Sequence, residues 1–107
     1  MAGMLEATEA VPYDRACRAA LAAMSALGLG PVERDKDGFQ TLIVGNDAHG
    51  AGGQAQEVNL RITRISSNAT GLSFRAPGAG DSSRLRAIHD AIRRELQNPS
   101  KSSVSAD

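Results

Sequence analysis

The stretch from Arg75 to Arg84, RAPGAGDSSR, holds residue types that could bind an anion. A glycine turn that leads into a helix leaves backbone N–H groups free to donate, and nearby arginines supply positive charge. The residues of this candidate anion-binding site are Arg75, Gly78, Gly80, Ser82 and Arg84. The chemistry would be recognition of an anionic group, such as a phosphate, on a small ligand.

The same turn also has a purely structural interpretation. Asp81 is a good N-cap for the helix that follows, and its carboxylate would occupy the place of a bound phosphate. The turn lacks the lysine and the spacing of a P-loop. It also follows the last predicted strand, whereas a dinucleotide-binding turn opens a parallel βαβ unit. We therefore favour the structural role and keep the anion-binding module as the alternative.

Cys17, His49 and His89 are the other residues that could carry chemistry. No ligand-spacing motif joins the histidines to Asp47 or Cys17, so we predict no metal site and no cofactor. Cys17 falls on an apolar helix stripe, where cysteine acts as a small hydrophobe, although a pairing with His89 across two helices is conceivable. We predict that the protein is not an enzyme.

The charge and the aromatic content argue against nucleic acid. Twelve basic residues balance twelve acidic residues, and the three aromatic residues are too few to stack bases. Seven of the ten arginines lie between Arg61 and Arg94, but no field of one sign covers the chain. No stretch is apolar for long enough to span a membrane.

Hydrophobic periodicity predicts the helices and strands that position these residues. Tyr13, Cys17, Ala20, Met24 and Leu27 recur at helical spacing. Strands are predicted near residues 31–36 and 39–46, around an Asp37-Gly38 turn suited to positive φ. Two more strands follow in EVNLRITRI and LSFRA, and a phase break at Ile65 indicates a bulge or a strand end. The last helix carries its apolar stripe on Leu85, Ile88, Ile92 and Leu96.

This order predicts an α+β two-layer sandwich. A four-stranded, mainly antiparallel sheet would carry both helices on one face, in the order α-β-β-β-β-α. We predict a frayed N-terminus over residues 1–11, a single domain over 12–97 and a disordered tail over 98–107.

Leu42, Ile43 and Val44 give one predicted strand apolar side chains on both of its faces. Two helices can cover only one face of the sheet. We therefore predict that Leu42 and Val44 lie in an interface with a second copy of the chain. The predicted function is association as a homodimer, and the small-molecule ligand, if any, is unknown.

The second half of the chain, ATGLSFRAPGAGDSSRLRAIHDAIRREL, resembles a family of small bacterial envelope proteins of unknown function. The pattern of that family is roughly T-x-[IL]-x-[IF]-R-x-G-x-x-G-D followed by an Ile-x-x-x-Leu helix. The matching positions here are Thr70, Leu72, Phe74, Arg75, Gly80, Asp81, Ile88, Ile92 and Leu96. The first helix, YDRACRAALAAMSALGL, resembles the Ala-Leu-rich helix of the same family.

The resemblance implies a fold and a bacterial origin but no activity. Members of that family usually carry a lipoprotein leader with an acylated cysteine, and Cys17 lies inside a helix stripe instead. We predict a cytoplasmic protein if Met1 is the natural start, and a cell-envelope protein if a leader has been removed.

Overall fold

The computed structural model describes residues 3–47, 56–76 and 83–97. Along the chain it contains the strand Gly3–Glu9 (β1), the helix Tyr13–Ala26 (α1) and the strands Val32–Arg34 (β2) and Gln40–Asp47 (β3). The strands Gln56–Ser66 (β4) and Ala69–Ala76 (β5) follow, and the helix Ser83–Leu96 (α2) comes last. The α+β class is confirmed.

The sheet has five strands in the order β1-β5-β4-β3-β2, and every neighbouring pair is antiparallel. The prediction of four strands was wrong by one, because Gly3–Glu9 forms a strand in the segment predicted to fray. Backbone pairing with β5, from Gly3 with Ala76 to Glu9 with Thr70, orders this segment. The tail predicted to be disordered lies outside the described residues.

The helices and one face of the sheet enclose a single apolar core. Alternate residues of the central strands are buried, for example Ile43, Leu60 and Phe74, and in β4 this pattern ends at Ile62. They pack against the buried stripes of α1 and α2, whose members include Met24 and Ile88. Both described helices therefore lie on the same face of the sheet, as the sequence predicted.

Gly45 lets α1 and its following turn approach β3 closely. A Cβ atom at this position would lie 2.9 Å from Met24 Cε and 3.2 Å from Leu29 Cβ. The chain leaves the helix through Gly28, whose φ of 78° is left-handed. The turn is then held by a 2.7 Å hydrogen bond from the N–H of Asn46 to the carbonyl of Leu29.

The hairpin between β2 and β3 is present, but its turn differs from the predicted one. The positive φ of 52° falls on Asp35 rather than on Gly38. The carboxylate of Asp37 accepts hydrogen bonds from the N–H groups of Phe39 and Gln40, at 2.7 and 2.9 Å. These bonds lower the pKa of Asp37 below its ordinary value, because they stabilise the charged form. A side-chain turn thus replaces the tight positive-φ turn.

Candidate association surface

The face of the sheet that points away from the helices, here called the open face, is defined by the strand register. Alternate residues of each strand share this face. Its first cross-strand row is Met4, Arg75, Asn59, Val44 and Val32. The second row is Glu6, Ser73, Arg61, Leu42 and Arg34, and the third is Thr8, Gly71, Thr63 and Gln40.

Leu42 and Val44 lie on the open face, opposite in direction to the buried Ile43 between them. Both side chains are half-buried by their neighbours in the sheet. The first row has more exposed apolar side chains at its two ends: Met4 on β1 is 51% exposed and Val32 on β2 is 56% exposed. Val32 is adjacent to Val44, whereas Arg75 and Asn59 separate Met4 from Val44, so the apolar surface of the open face lies mainly on β2 and β3.

Charged groups lie among these apolar side chains. Arg61 Nη1 donates to Gln40 Oε1 at 3.1 Å. Within the described ranges the guanidinium of Arg75 has no hydrogen-bond or ion-pair partner. A depression of about 530 Å³ lies on the open face, over β1, β5, β4 and β3. Its lining residues are Glu6, Leu42, Asn59, Arg61, Ser73 and Arg75. This depression presents two guanidinium groups and one carboxylate to an approaching surface.

The structure does not bring together the two arginines of the candidate anion site. Arg75 lies on the open face, whereas Arg84 lies in the first turn of α2, on the helix side of the sheet. Arg84 Nε donates to Asp47 Oδ2 at 2.6 Å and Nη2 donates to Oδ1 at 3.3 Å. Because the Asp47 side chain is 3% exposed, this bidentate pair anchors the N-terminal part of α2 to β3. Gly78, Gly80 and Ser82 lie outside the described residues, as does the predicted cap Asp81.

Cys17 belongs to a buried polar chain. Its thiol donates to Thr41 Oγ1 at 3.8 Å, and the Tyr13 hydroxyl shares a 2.5 Å hydrogen bond with the same oxygen. The Tyr13 hydroxyl also donates to the carbonyl of Asp37 at 3.0 Å. Burial raises the pKa of the Cys17 thiol and of the Tyr13 hydroxyl above their ordinary values. These hydrogen bonds join α1 to β3, while burial favours the protonated form of the thiol.

His89 joins α2 to the edge strand β1. Its Nε2 atom lies 2.7 Å from Glu9 Oε2, and its ring lies 5.7 Å from the ring of Phe74. Arg93 Nε lies 3.8 Å from the same carboxylate oxygen. His49 lies outside the described residues, and among those described no three histidine, cysteine or carboxylate side chains are grouped closely enough to hold a metal ion.

The chain matches the model of a known protein family. The family described as a protein of unknown function (DUF3568) matches residues 1–95. The chain belongs to this family. The match extends from β1 into the last turn of α2, so it includes every element described above. The envelope location and the sequence signature implied by the resemblance remain predictions.

The comparisons with curated proteins and with solved structures give no information about function. No curated protein matches the sequence. A solved structure, the Zhui aromatase/cyclase from Streptomyces sp. R1128, aligns with 99% of this chain and 90% of that chain at 10% identity and a TM-score of 0.32. A likeness this weak carries no argument about function. Neither described helix combines the length and the hydropathy needed to cross a membrane.

In the first two rows of the open face, four residues were not predicted from the sequence to lie there: Met4, Glu6, Val32 and Arg34. Met4 and Glu6 were missed because β1 was not predicted. Val32 and Arg34 were within a predicted strand, but their face depends on the register with β3, where Val32 pairs with Val44 and Arg34 with Leu42. The register of β2 with β3 depends on the length of the turn between them, and the sequence alone did not fix that length.

Proposed function

We propose that this member of the family works by association, as a homodimer joined through the open face, and that it has no catalytic activity. The observation that carries the proposal is the placement of Leu42 and Val44 on the open face, while both described helices pack on the other face. The adjacent apolar side chains of Val32, Leu42 and Val44, with polar side chains beside them, form the kind of exposed apolar patch that marks protein interfaces.

The size of the open face is suitable for a modest dimer. Five strands about 4.8 Å apart, with about seven residues each at a rise of about 3.3 Å, give a face of roughly 24 by 23 Å. Two such faces would bury about 1,100 Å² in total, just above the usual lower limit for a specific interface. We therefore expect a dimer that dissociates measurably on dilution.

The buried state of Cys17 supports the absence of nucleophilic catalysis. The residue is 1% exposed, and burial raises the pKa of its thiol. A reactive cysteine needs the thiolate form and partial access to substrate, and Cys17 has neither. The anion-binding alternative has weaker support, since Arg84 already binds Asp47 and Arg75 lies on the opposite face of the sheet.

Replacing Leu42 with Asp tests the proposal. In a dimer each introduced carboxylate would lose its water, and the apolar contact of Leu42 would be lost. Arg34 and Arg61 flank this position in the same row, but pairing with them returns less free energy than is spent in removing the charges from water. We expect the dissociation constant to rise by at least about tenfold, because two carboxylates are introduced per dimer. Sedimentation velocity and native mass spectrometry over a concentration series would measure the change.

Ala22→Asp is the matched control, since Ala22 is exposed on α1 in the helix layer. This variant should dimerise like the wild type, and circular dichroism should show that both variants remain folded. A wild-type chain that stays monomeric at high concentration would contradict the proposal. So would a folded Leu42→Asp variant that dimerises normally.

A further inference from the structure

Four neighbouring side chains on the open face of β4 and β5 can all donate hydrogen bonds. In the register of these strands Asn59 is opposite Arg75, and Arg61 is opposite Ser73. The two residues of each strand are two positions apart, so all four side chains share one face and are nearest neighbours there. Two of them carry an amide or a hydroxyl group and two carry a guanidinium group. This set of four residues is here called the donor block.

The depression on the open face lies over the donor block. All four of its side chains line the depression, and Leu42 on β3 and Glu6 on β1 complete the lining. Ser73 lies between Arg61 and Glu6 in the same cross-strand row, and its short side chain leaves space between these two longer ones. The volume of about 530 Å³ is within the range of small-molecule sites.

Both guanidinium groups of the donor block are available to a ligand. Within the described part of the chain neither Arg61 nor Arg75 forms an ion pair. Arg61 uses Nη1 to donate to Gln40 Oε1, which holds its side chain in place and leaves its other N–H groups able to donate. A guanidinium has five donors in a planar fork, a geometry that matches two oxygens of a phosphate or a carboxylate.

We propose that the donor block binds a small organic anion that carries a phosphate or a carboxylate group. The acidic oxygens accept hydrogen bonds from Arg61 and Arg75, Asn59 and Ser73 add neutral donors, and Leu42 contacts the carbon skeleton of the ligand. The site goes beyond the proposed association, since one chain supplies all of its residues. It also differs from the turn before α2, because it contains Arg61 and does not contain Arg84.

Glu6 gives a test of the sign of the ligand's charge. Its carboxylate lines the same depression and opposes a bound anion, because like charges repel across a short distance. Glu6→Gln should therefore tighten the binding of an anion several-fold. A cation, or a zwitterion whose ammonium group pairs with Glu6, would be bound more weakly by this variant. Weaker binding in Glu6→Gln would overturn the proposal.

The experiment measures the binding of inorganic pyrophosphate and of succinate to dilute protein, at a concentration where sedimentation velocity shows the monomer. A ligand that binds only the folded chain raises its melting temperature, and the rise over a concentration series gives the dissociation constant. At about ten times its dissociation constant a probe should raise the melting temperature by roughly 6 °C. A response to pyrophosphate identifies a phosphate ligand and a response to succinate a carboxylate ligand, and either one supports the site.

Arg61→Gln and Arg75→Gln should each raise the dissociation constant of the bound probe at least about fivefold, since each removes charge-assisted hydrogen bonds. Arg86→Gln is the matched control, because it removes the same charge from an exposed position on α2, in the helix layer. The response of this control should equal that of the wild type. Each variant is compared with the same variant without probe, so its own stability does not enter the result.

Three results would overturn the donor block. The first is a wild-type melting temperature that neither probe raises. The second is an equal loss of affinity in Arg86→Gln, which would mean that only the total charge matters. The third is binding that Arg75→Gln abolishes and Arg61→Gln leaves intact, which would place the anion away from β4. A wild type that is monomeric at every concentration contradicts the proposed dimer alone and leaves this test unchanged.

Discussion

At the scale of single residues, Gly45 shows how one missing side chain sets the distance between the two layers. Alanine at this position would bring a methyl group to 2.9 Å from Met24 Cε and 3.2 Å from Leu29 Cβ. The end of Met24 can move, but Leu29 Cβ is fixed by its backbone, whose carbonyl oxygen would lie at 3.4 Å. We expect Gly45→Ala to lower the free energy of unfolding by about 1–3 kcal/mol.

Urea denaturation followed by circular dichroism would measure this loss. Gly38→Ala is the matched control, because a Cβ there meets nothing within 4 Å and Gly38 has no positive φ. It should change the stability by less than about 1 kcal/mol and in the stabilising direction, through the unfolded chain. Equal losses in both variants would mean that close packing at Gly45 is not what requires glycine.

At the scale of elements, β1 is the clearest case of a strand that its own sequence does not predict. Its helix-facing side carries Leu5, Ala7 and Glu9, so only one large apolar side chain points to the core. The strand exists because β5 offers it a backbone edge and because Glu9 reaches His89 on α2. Both causes are tertiary, and periodicity within the segment cannot reveal them.

The other elements were predictable for the opposite reason. The stripes of α1 and α2 and the alternation in β4 are strong patterns within single segments, and each lies in the structure where it was expected. The break at Ile65 corresponds to a register shift between Arg64 and Ser66. The faces of Leu42 and Val44 followed from alternation, whereas the edge residues that share their rows required the full strand order.

The contact between Glu9 and α2 should stabilise β1 at the edge of the sheet. Glu9→Ala removes the carboxylate that lies 2.7 Å from His89 Nε2 and 3.8 Å from Arg93 Nε. Since an edge strand pairs on one side only, we expect its amides to exchange faster with solvent by about three- to tenfold. Hydrogen exchange read by mass spectrometry on the N-terminal peptide would measure this.

Glu9→Gln is the control at the same position, because its amide oxygen can still accept a hydrogen bond from His89 Nε2. Its exchange rates should stay near those of the wild type. If Glu9→Ala left the exchange of β1 unchanged while α2 remained folded, backbone pairing with β5 alone would be sufficient to hold the edge.

At the scale of the whole molecule, association should make thermal stability depend on concentration. Anything that binds only the folded state raises its melting temperature, and a second copy of the chain is such a ligand. An unfolding enthalpy of about 0.7 kcal/mol per residue gives about 150 kcal/mol for a dimer of this chain. Above the dissociation constant, each tenfold rise in concentration should then raise the melting temperature by about 3 °C.

A comparison of variants shows which surface makes the melting temperature depend on concentration. Leu42→Asp should melt at one temperature across the whole concentration range, because its monomers have no favourable partner, whereas Ala22→Asp should follow the wild-type slope. Scanning calorimetry at several concentrations would record all three proteins. A wild-type melting temperature independent of concentration would contradict the dimer. It would mean that the monomer is stable with the apolar residues of its open face in water, because neighbouring side chains already half-bury Leu42 and Val44.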